Sequence, residues 1–217
     1  MRKHCLVLAG PSGVGKSTVA DLLMANEPSY KLSISATTRA RRDGESDDYI
    51  HIKKEEFASL ITSGEMLEYT EYNGNFYGTP KSEIDRILDL SANPLLILDL
   101  KGVESIKQAD LDIPVYTVYI YEDINVVEQR LYDRDLKSEP SSEKFLSFMK
   151  RKKQNIADYM SLAQMVDFID AFVENSDAEG CASELLSLLK RLDSGESFDI
   201  EKSEISKSLR LSAEQKQ

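Results

Sequence analysis

The chain has 217 residues, 41% of them hydrophobic and 30% charged, a balance that suits one soluble globular domain with a sizeable core and excludes a disordered chain. Its net charge of −11 argues against a general nucleic-acid binder, although a local basic cluster can still hold a nucleotide. No apolar stretch approaches the roughly 20 residues that span a bilayer, no secretory leader is visible, and the two cysteines form no CxxC pair. Cys5 and Cys181 therefore read as small core residues of a cytoplasmic protein with reduced thiols, and neither a nucleic acid nor a membrane is expected as a partner.

In chain order, Cys5 to Ala9 reads as a buried strand. It runs into Gly10-Pro11-Ser12-Gly13-Val14-Gly15-Lys16-Ser17, which fits GxxxxGK[ST]. Ser17 to Asn26 then reads as a helix with Val19, Leu22 and Leu23 on one face. Strand, glycine turn and helix together are the context that this phosphate-binding motif requires. Gly10, Gly13 and Gly15 let successive N–H groups point inward, and the helix N-terminus adds partial positive charge. Ser12, Val14 and Thr18 complete the expected ATP-binding set. Lys16 supplies a full charge for the β and γ phosphates, and Ser17 a hydroxyl for Mg²⁺. The pattern reads as a nucleoside triphosphate site.

Tyr30 to Ser35 looks like a second short strand, leading into the basic stretch Ala36 to Arg42. Tyr49 to Lys53, Met66 to Tyr72 and Asn75 to Tyr77 read as short strands, with Asn73-Gly74 as a hairpin turn. A small β-rich lobe is thus expected between about residues 36 and 80. Lys81 to Leu90 is helical. Pro94 to Leu98 and Ile113 to Ile120 read as central parallel strands joined by a helix over Val103 to Ala109. Helices are expected over 124–135 and 142–159, a last strand over Phe168 to Val173, and an amphipathic helix over Cys181 to Leu192. From Asp193 onward apolar residues thin out, which predicts a mobile tail or surface helix. Alternating strands and helices predict an α/β fold: a parallel sheet of the P-loop NTPase type flanked by helices, with an inserted β-rich lobe.

Arg39 and Arg42 suit a monophosphate dianion, because planar guanidiniums bond two oxygens at once; Tyr49 and Tyr77 can add hydroxyl donors. Alone, such a cluster is more often a solvated basic face. Its setting decides. The phosphate loop, Ser33-Ile34-Ser35-Ala36-Thr37-Thr38-Arg39 with Arg42, Asp48-Tyr49, Gly64-Glu65-Met66-Leu67-Glu68, Asn73-Gly74, Tyr77-Gly78-Thr79 and Asp99-Leu100-Lys101-Gly102-Val103 together resemble the guanylate kinase family over roughly residues 4 to 190.

The resemblance implies a Mg²⁺-dependent transfer of the γ-phosphoryl group of ATP to GMP or dGMP. It implies that Arg39, Arg42, Tyr49 and Tyr77 hold the GMP phosphate, and that Glu68 accepts from guanine N1–H and the exocyclic amine. Ser35 and Thr79 would contact the other base edge, and Asp99 would lie near the metal and acceptor. Arg130-Leu131-Tyr132-Asp133-Arg134 and Met149-Lys150-Arg151 resemble the family's helical lid, with Arg134 and Arg151 clamping the transferring group. The catalytic set so implied is Lys16, Arg39, Asp99, Arg134 and Arg151. On this reading residues 1–35, 91–128 and 160–192 form the core, 36–90 the GMP-binding lobe, 129–159 the lid and 193–217 an acidic, polar tail.

Some positions depart from the family pattern. Ile97 stands where the first of two strand-end aspartates is common, and Lys101 where a neutral side chain is common. The lid tip, Leu136 to Pro140, has no clear counterpart. Two alternatives carry different chemistry: a guanylate-kinase-like module that binds protein partners without catalysis, and a related kinase with another acceptor. Lys16, Ser17 and the arginines favour catalysis, while Glu68 and Thr79 favour guanine. The oligomeric state, monomer or homodimer, is left open.

Overall fold

A computed structural model of the chain describes residues 3–41, 49–72, 74–109, 111–138 and 140–216. Arg42, Asp48 and Asn73, all part of the motifs above, lie outside the described residues.

The phosphate-loop strand β1 (Cys5–Ala9) is buried along its whole length. It sits at the centre of a five-stranded parallel sheet with β2 (Tyr30–Leu32), β7 (Asn93–Ile97), β8 (Val115–Tyr121) and β9 (Ala171–Glu174), in the order β2-β7-β1-β8-β9. The continuous apolar runs of β1 and β7 follow from this position, since a parallel strand covered by helices on both faces exposes neither. Side chains alternate across the sheet with period two. Leu6 and Leu8 join Val19, Leu23, Leu185 and Leu189 of α1 (Lys16–Asn26) and α7 (Ala178–Asp193) on one face. Cys5 and Val7 join Val103, Ile106, Tyr159 and Leu162 of α4 (Leu100–Gln108) and α6 (Ser142–Met165) on the other. Both cysteines are buried free thiols, and burial pushes each up to about 12. They pack as small core residues.

The expected strand from Tyr30 to Ser35 is divided between two sheets. β2 closes the edge of the parallel sheet, and β3 (Ser35–Thr37) opens a second, four-stranded sheet ordered β4-β3-β6-β5. Glu83 of α3 (Lys81–Asp89) fastens the crossing point, accepting the Ile34 N–H at 2.9 Å while it pairs with Arg86. In the second sheet β4 (Tyr49–His51) runs parallel to β3, whereas β5 (Met66–Tyr72) and β6 (Asn75–Pro80) form the expected hairpin. Gly74 takes φ +73° at its tip. One helix was not expected: α2 (Lys54–Thr62) covers this sheet through Phe57, which stacks on Phe76 at 5.5 Å. Its single buried residue explains why its apolar period is so faint.

α5 (Ile124–Asp135) and α6 form a hairpin at the end of the core. Its outer part has a small core of its own, Leu131, Leu136 and Phe148. α6 continues past the expected end at residue 159 to Met165 and anchors there through Tyr159, whose hydroxyl donates to the Glu122 carbonyl at 2.7 Å.

Residues 194–216, expected as a mobile tail or surface helix, form a helix rather than a tail, and it packs onto the core. Phe198 is buried under Arg191, whose guanidinium lies 4.5 Å from the ring. α8 (Asp199–Glu214) then packs along α6, burying Leu209 and Ala213 among the residues that line that face of the sheet. Lys216 reaches Glu128 of α5 at 3.2 Å, and Lys152 of α6 pairs with the same carboxylate. Ile200 and Leu211 are exposed, so few apolar residues mark the buried stripe.

Candidate active site

The turn after β1 is a glycine structure in the strict sense. Gly10 lies at φ +144°, and a Cβ there would meet the Ile120 carbonyl oxygen at 2.2 Å; Gly15 lies at φ +102°, and a Cβ there would meet Asn175 Nδ2 at 2.5 Å. Backbone conformation and close neighbours thus both require glycine. The loop is also held from outside. Val14 is wholly buried in the core, and its carbonyl accepts from Asn175 Nδ2 at 2.6 Å. Arg130 of α5 ties the next residues down, donating to the carbonyls of Asn175 at 2.9 Å and Ser176 at 3.2 Å. Glu122 lies 3.6 Å from the same guanidinium.

Beside the loop is a cleft of about 640 Å³, lined by Ser12, Gly13, Gly15, Lys16, Ser17 and Thr18, with Arg130, Arg134 and Asn175 to Ala178 opposite. Ser17 and Thr18 are exposed in the first turn of α1, where no side chain caps the helix among the described residues. The helix therefore presents open N–H donors to the cleft. Lys16 folds over the loop, with Nζ donating to the carbonyls of Gly10 at 2.7 Å and Pro11 at 3.0 Å. Burial lowers its pKa to about 8, assisted by Arg134 and opposed by Asp158 and Asp99. An ammonium held this way gains from any anion that enters.

The second sheet brings together a different set. The register of β5 and β6 slips between Met66 and Glu68, and this bulge sets Glu68 opposite Thr79. Thr79, 1% exposed, donates its hydroxyl to Glu68 Oε1 at 2.8 Å. Burial raises the Glu68 pKa, with Asp99 adding to the rise and Thr79 opposing it. Gly78 between them is required by space, since a Cβ would meet the Glu68 carbonyl oxygen at 2.4 Å. Ser35 is half-buried on β3 in the same sheet. Tyr49 and Tyr77 meet edge-on at 5.8 Å, with the Arg39 guanidinium 5.7 Å from the Tyr49 ring. Asp99, exposed at the end of β7, caps α4 by accepting the Gly102 N–H at 2.8 Å.

The hairpin supplies the third group. Arg134 bonds Asp135 at 2.8 Å and 3.3 Å, and Arg151 lies 3.7 Å from the same carboxylate. Asp135 thus gathers both arginines, and Arg134 holds its carboxyl below the usual range.

A family model described as guanylate kinase matches residues 2–192. The chain belongs to the guanylate kinase family. A curated guanylate kinase of Clostridioides difficile is 34% identical over 85% of this chain and 85% of its own. One from Cereibacter sphaeroides is 37% identical over 71% of this chain and 73% of its own. Among solved structures, the guanylate kinase of Anaplasma phagocytophilum superposes with a TM-score of 0.59 at 26% identity, covering 87% of this chain and 85% of that one.

Within this guanylate kinase fold several residues had no signal in the sequence. Asn155, Asn175 and Asp135 hold the loop or the arginines, and Asp158 acts electrostatically on Lys16, yet none belongs to a local motif. Arg130 lay in the lid motif but outside the predicted set. The arginine pair 134 and 151 did have a signal in its charge, and the hairpin brings the two together. α8 lies beyond the residues that the family model matches.

Proposed function

We propose that this protein transfers the γ-phosphoryl group of ATP to GMP or dGMP, yielding ADP and GDP or dGDP. The observation that carries this reading is the pair formed by Glu68 and Thr79, 2.8 Å apart on the second sheet, in the same molecule as a phosphate loop and an uncapped helix N-terminus that open on a cleft. A carboxylate suited to a base edge and a triphosphate turn together suit one acceptor and one donor nucleotide.

On this reading the core comprises residues 1–35, 91–128 and 160–192, the acceptor lobe 36–90 and the lid 129–159. Gly10 to Thr18 cradle the triphosphate, with the adjoining cleft open toward Asn175 to Ala178. Glu68 accepts from the N1–H and amine of guanine, while Thr79 and Ser35 face its other edge. Adenine lacks that donor pair, so it would leave a half-buried carboxylate unmatched. Arg39, Arg42, Tyr49 and Tyr77 hold the acceptor phosphate. One of its oxygens attacks the γ phosphorus in line as the bond to the β–γ bridging oxygen breaks, and the electron pair leaves with ADP. The acceptor is already an anion, so no general base is needed. Lys16, Arg134 and Arg151 offset charge on the transferring group.

The donors present fit a magnesium ion that arrives with the phosphates. Ser17 and Asp99 offer the hydroxyl and single carboxylate that such a site uses, and no group of three or more acidic, histidine or cysteine side chains among the described residues could bind a metal by itself. When bound, Mg²⁺ would neutralise phosphate charge. Two buried, free thiols fit a cytoplasmic setting, and no helix among the described residues is long and apolar enough to cross a membrane.

The test is ADP release with ATP and a panel of GMP, dGMP, AMP, CMP and UMP. GMP or dGMP should dominate kcat/KM; equal turnover of AMP, CMP or UMP would overturn the guanine assignment.

A further inference from the structure

α6 carries Arg151, and one turn later on the same face it carries Asn155. Asparagine is mostly a surface residue, yet Asn155 is 3% exposed. Its amide is used at both ends: Oδ1 accepts the Ser12 N–H at 2.8 Å, and Nδ2 donates to the Ser12 carbonyl at 2.9 Å. A side chain thus binds a peptide of the phosphate loop as a neighbouring strand would. The contact joins positions 143 apart in sequence. Below it, the bond from Tyr159 to the Glu122 carbonyl fixes the same stretch of α6 to the core.

Three consequences follow from this geometry. The Ser12 N–H is directed at Asn155, so the anion site is built from the peptides after it. The orientation of the Ser12 peptide is set from outside the loop, which leaves the turn less freedom to collapse before a nucleotide enters. Finally, α6 is pinned one turn from Arg151, so the arginine and the loop keep a fixed register. Pre-organised donors of this kind favour binding and transfer because little is reordered when charge arrives.

We propose that Asn155 is a positioning residue for the donor nucleotide, clamping the Ser12 peptide and holding the phosphate loop and Arg151 in register. The proposal rests on the reading that this loop holds ATP. Removing the amide leaves a donor and an acceptor of the loop without their partner, which costs more than the bonded pair contributed.

The test uses the full chain with Asn155→Ala and Asn155→Asp. ADP affinity is read by calorimetric titration, steady-state kinetics by varying ATP and GMP separately, and folding by thermal melting. Asn155→Ala should weaken ADP about tenfold and lower kcat/KM for ATP at least as much, with KM for GMP within about twofold of the original. Asn155→Asp keeps the acceptor for the Ser12 N–H but sets a carboxylate against the Ser12 carbonyl, and should lose more than Asn155→Ala. Should Asn155→Ala fail to fold, the neutral Asn155→Ser, whose hydroxyl can meet only one of the two Ser12 groups, carries the test, with ADP weakened several-fold and KM for GMP within about twofold of the original. A lower melting temperature with unchanged ADP affinity and an unchanged balance between ATP and GMP parameters would mean packing only, and overturns the proposal. Because the ADP titration needs no acceptor, a protein that turned out to use a monophosphate other than GMP would sink the guanine reading and leave this test intact.

Discussion

Replacing Glu68 by Gln is the sharpest perturbation of the acceptor site, because it changes charge and one donor while keeping shape. In the structure the Thr79 hydroxyl bonds Oε1 and the Thr79 N–H also favours the carboxylate, which still leaves acceptor positions of its two oxygens for a ligand. Guanine offers two donors to them. Hydrogen bonds to a charged group contribute about 1.5–3 kcal/mol each. A glutamine keeps one neutral acceptor and turns an N–H toward the base, so the expected loss is about 2–4 kcal/mol, or roughly 30- to 1,000-fold in kcat/KM for GMP. KM for ATP should stay near its original value. The assay is coupled ADP release with each substrate varied in turn, together with direct ADP titration. The charge also predicts a pH dependence. Burial raises the Glu68 pKa, so its carboxylate is protonated at a higher pH than an ordinary glutamate, and kcat/KM for GMP should decline on acidification before that range is reached. The acidic limb should be missing in Glu68→Gln. Parallel losses for ATP and GMP, or an unchanged GMP response, would refute the assignment.

Lys16 should give the opposite limb: its charge is lost as pH rises through about 8 in the free protein, so kcat/KM for ATP should fall above that pH. Bound phosphates favour the charged form, which moves the corresponding limb in kcat to higher pH. Lys16→Ala should reduce turnover by several orders of magnitude, read by single-turnover phosphoryl transfer, because a charge that acts on the transferring group is lost. Gly10→Ala should both unfold the loop and lower stability by on the order of 3 kcal/mol, seen in thermal melts and ADP titration, since its Cβ would lie 2.2 Å from the Ile120 carbonyl oxygen. Leu209→Ala should cost about 2–5 kcal/mol, read as a lower urea midpoint with an unchanged slope, because α8 buries that side chain in the core.

Much of the site was legible because its determinants are local. The phosphate loop declares itself in eight consecutive residues, where glycine spacing dictates backbone conformation and the flanking patterns dictate strand and helix. The hairpin of β5 and β6 is equally local, since turn chemistry sets its register. The parallel core strands show as unbroken apolar runs. Arg39, Glu68 and Thr79 carried a chemical reading through their resemblance to a family, and the fold brings Glu68 and Thr79 within hydrogen-bond distance.

What the sequence could not determine was every feature whose cause lies far away along the chain. No pattern distinguishes Asn155 or Asn175 from a surface asparagine; each is a loop anchor only because α6 and the end of β9 pass beside the glycine turn. The stretch from Tyr30 to Ser35 was bound to read as one extended segment, but its division between two sheets depends on β7 on one side and β6 on the other. Residues 199–214 are sparse in apolar side chains, so their burial required the face that α6 presents. Local propensity thus determined the elements and the phosphate turn, whereas tertiary packing decided which amides steady that turn, where Glu68 points and that the C-terminal helix belongs to the core. The reason is physical: backbone preference acts over a few residues, while burial and hydrogen-bond satisfaction are set by neighbours that only the folded chain supplies.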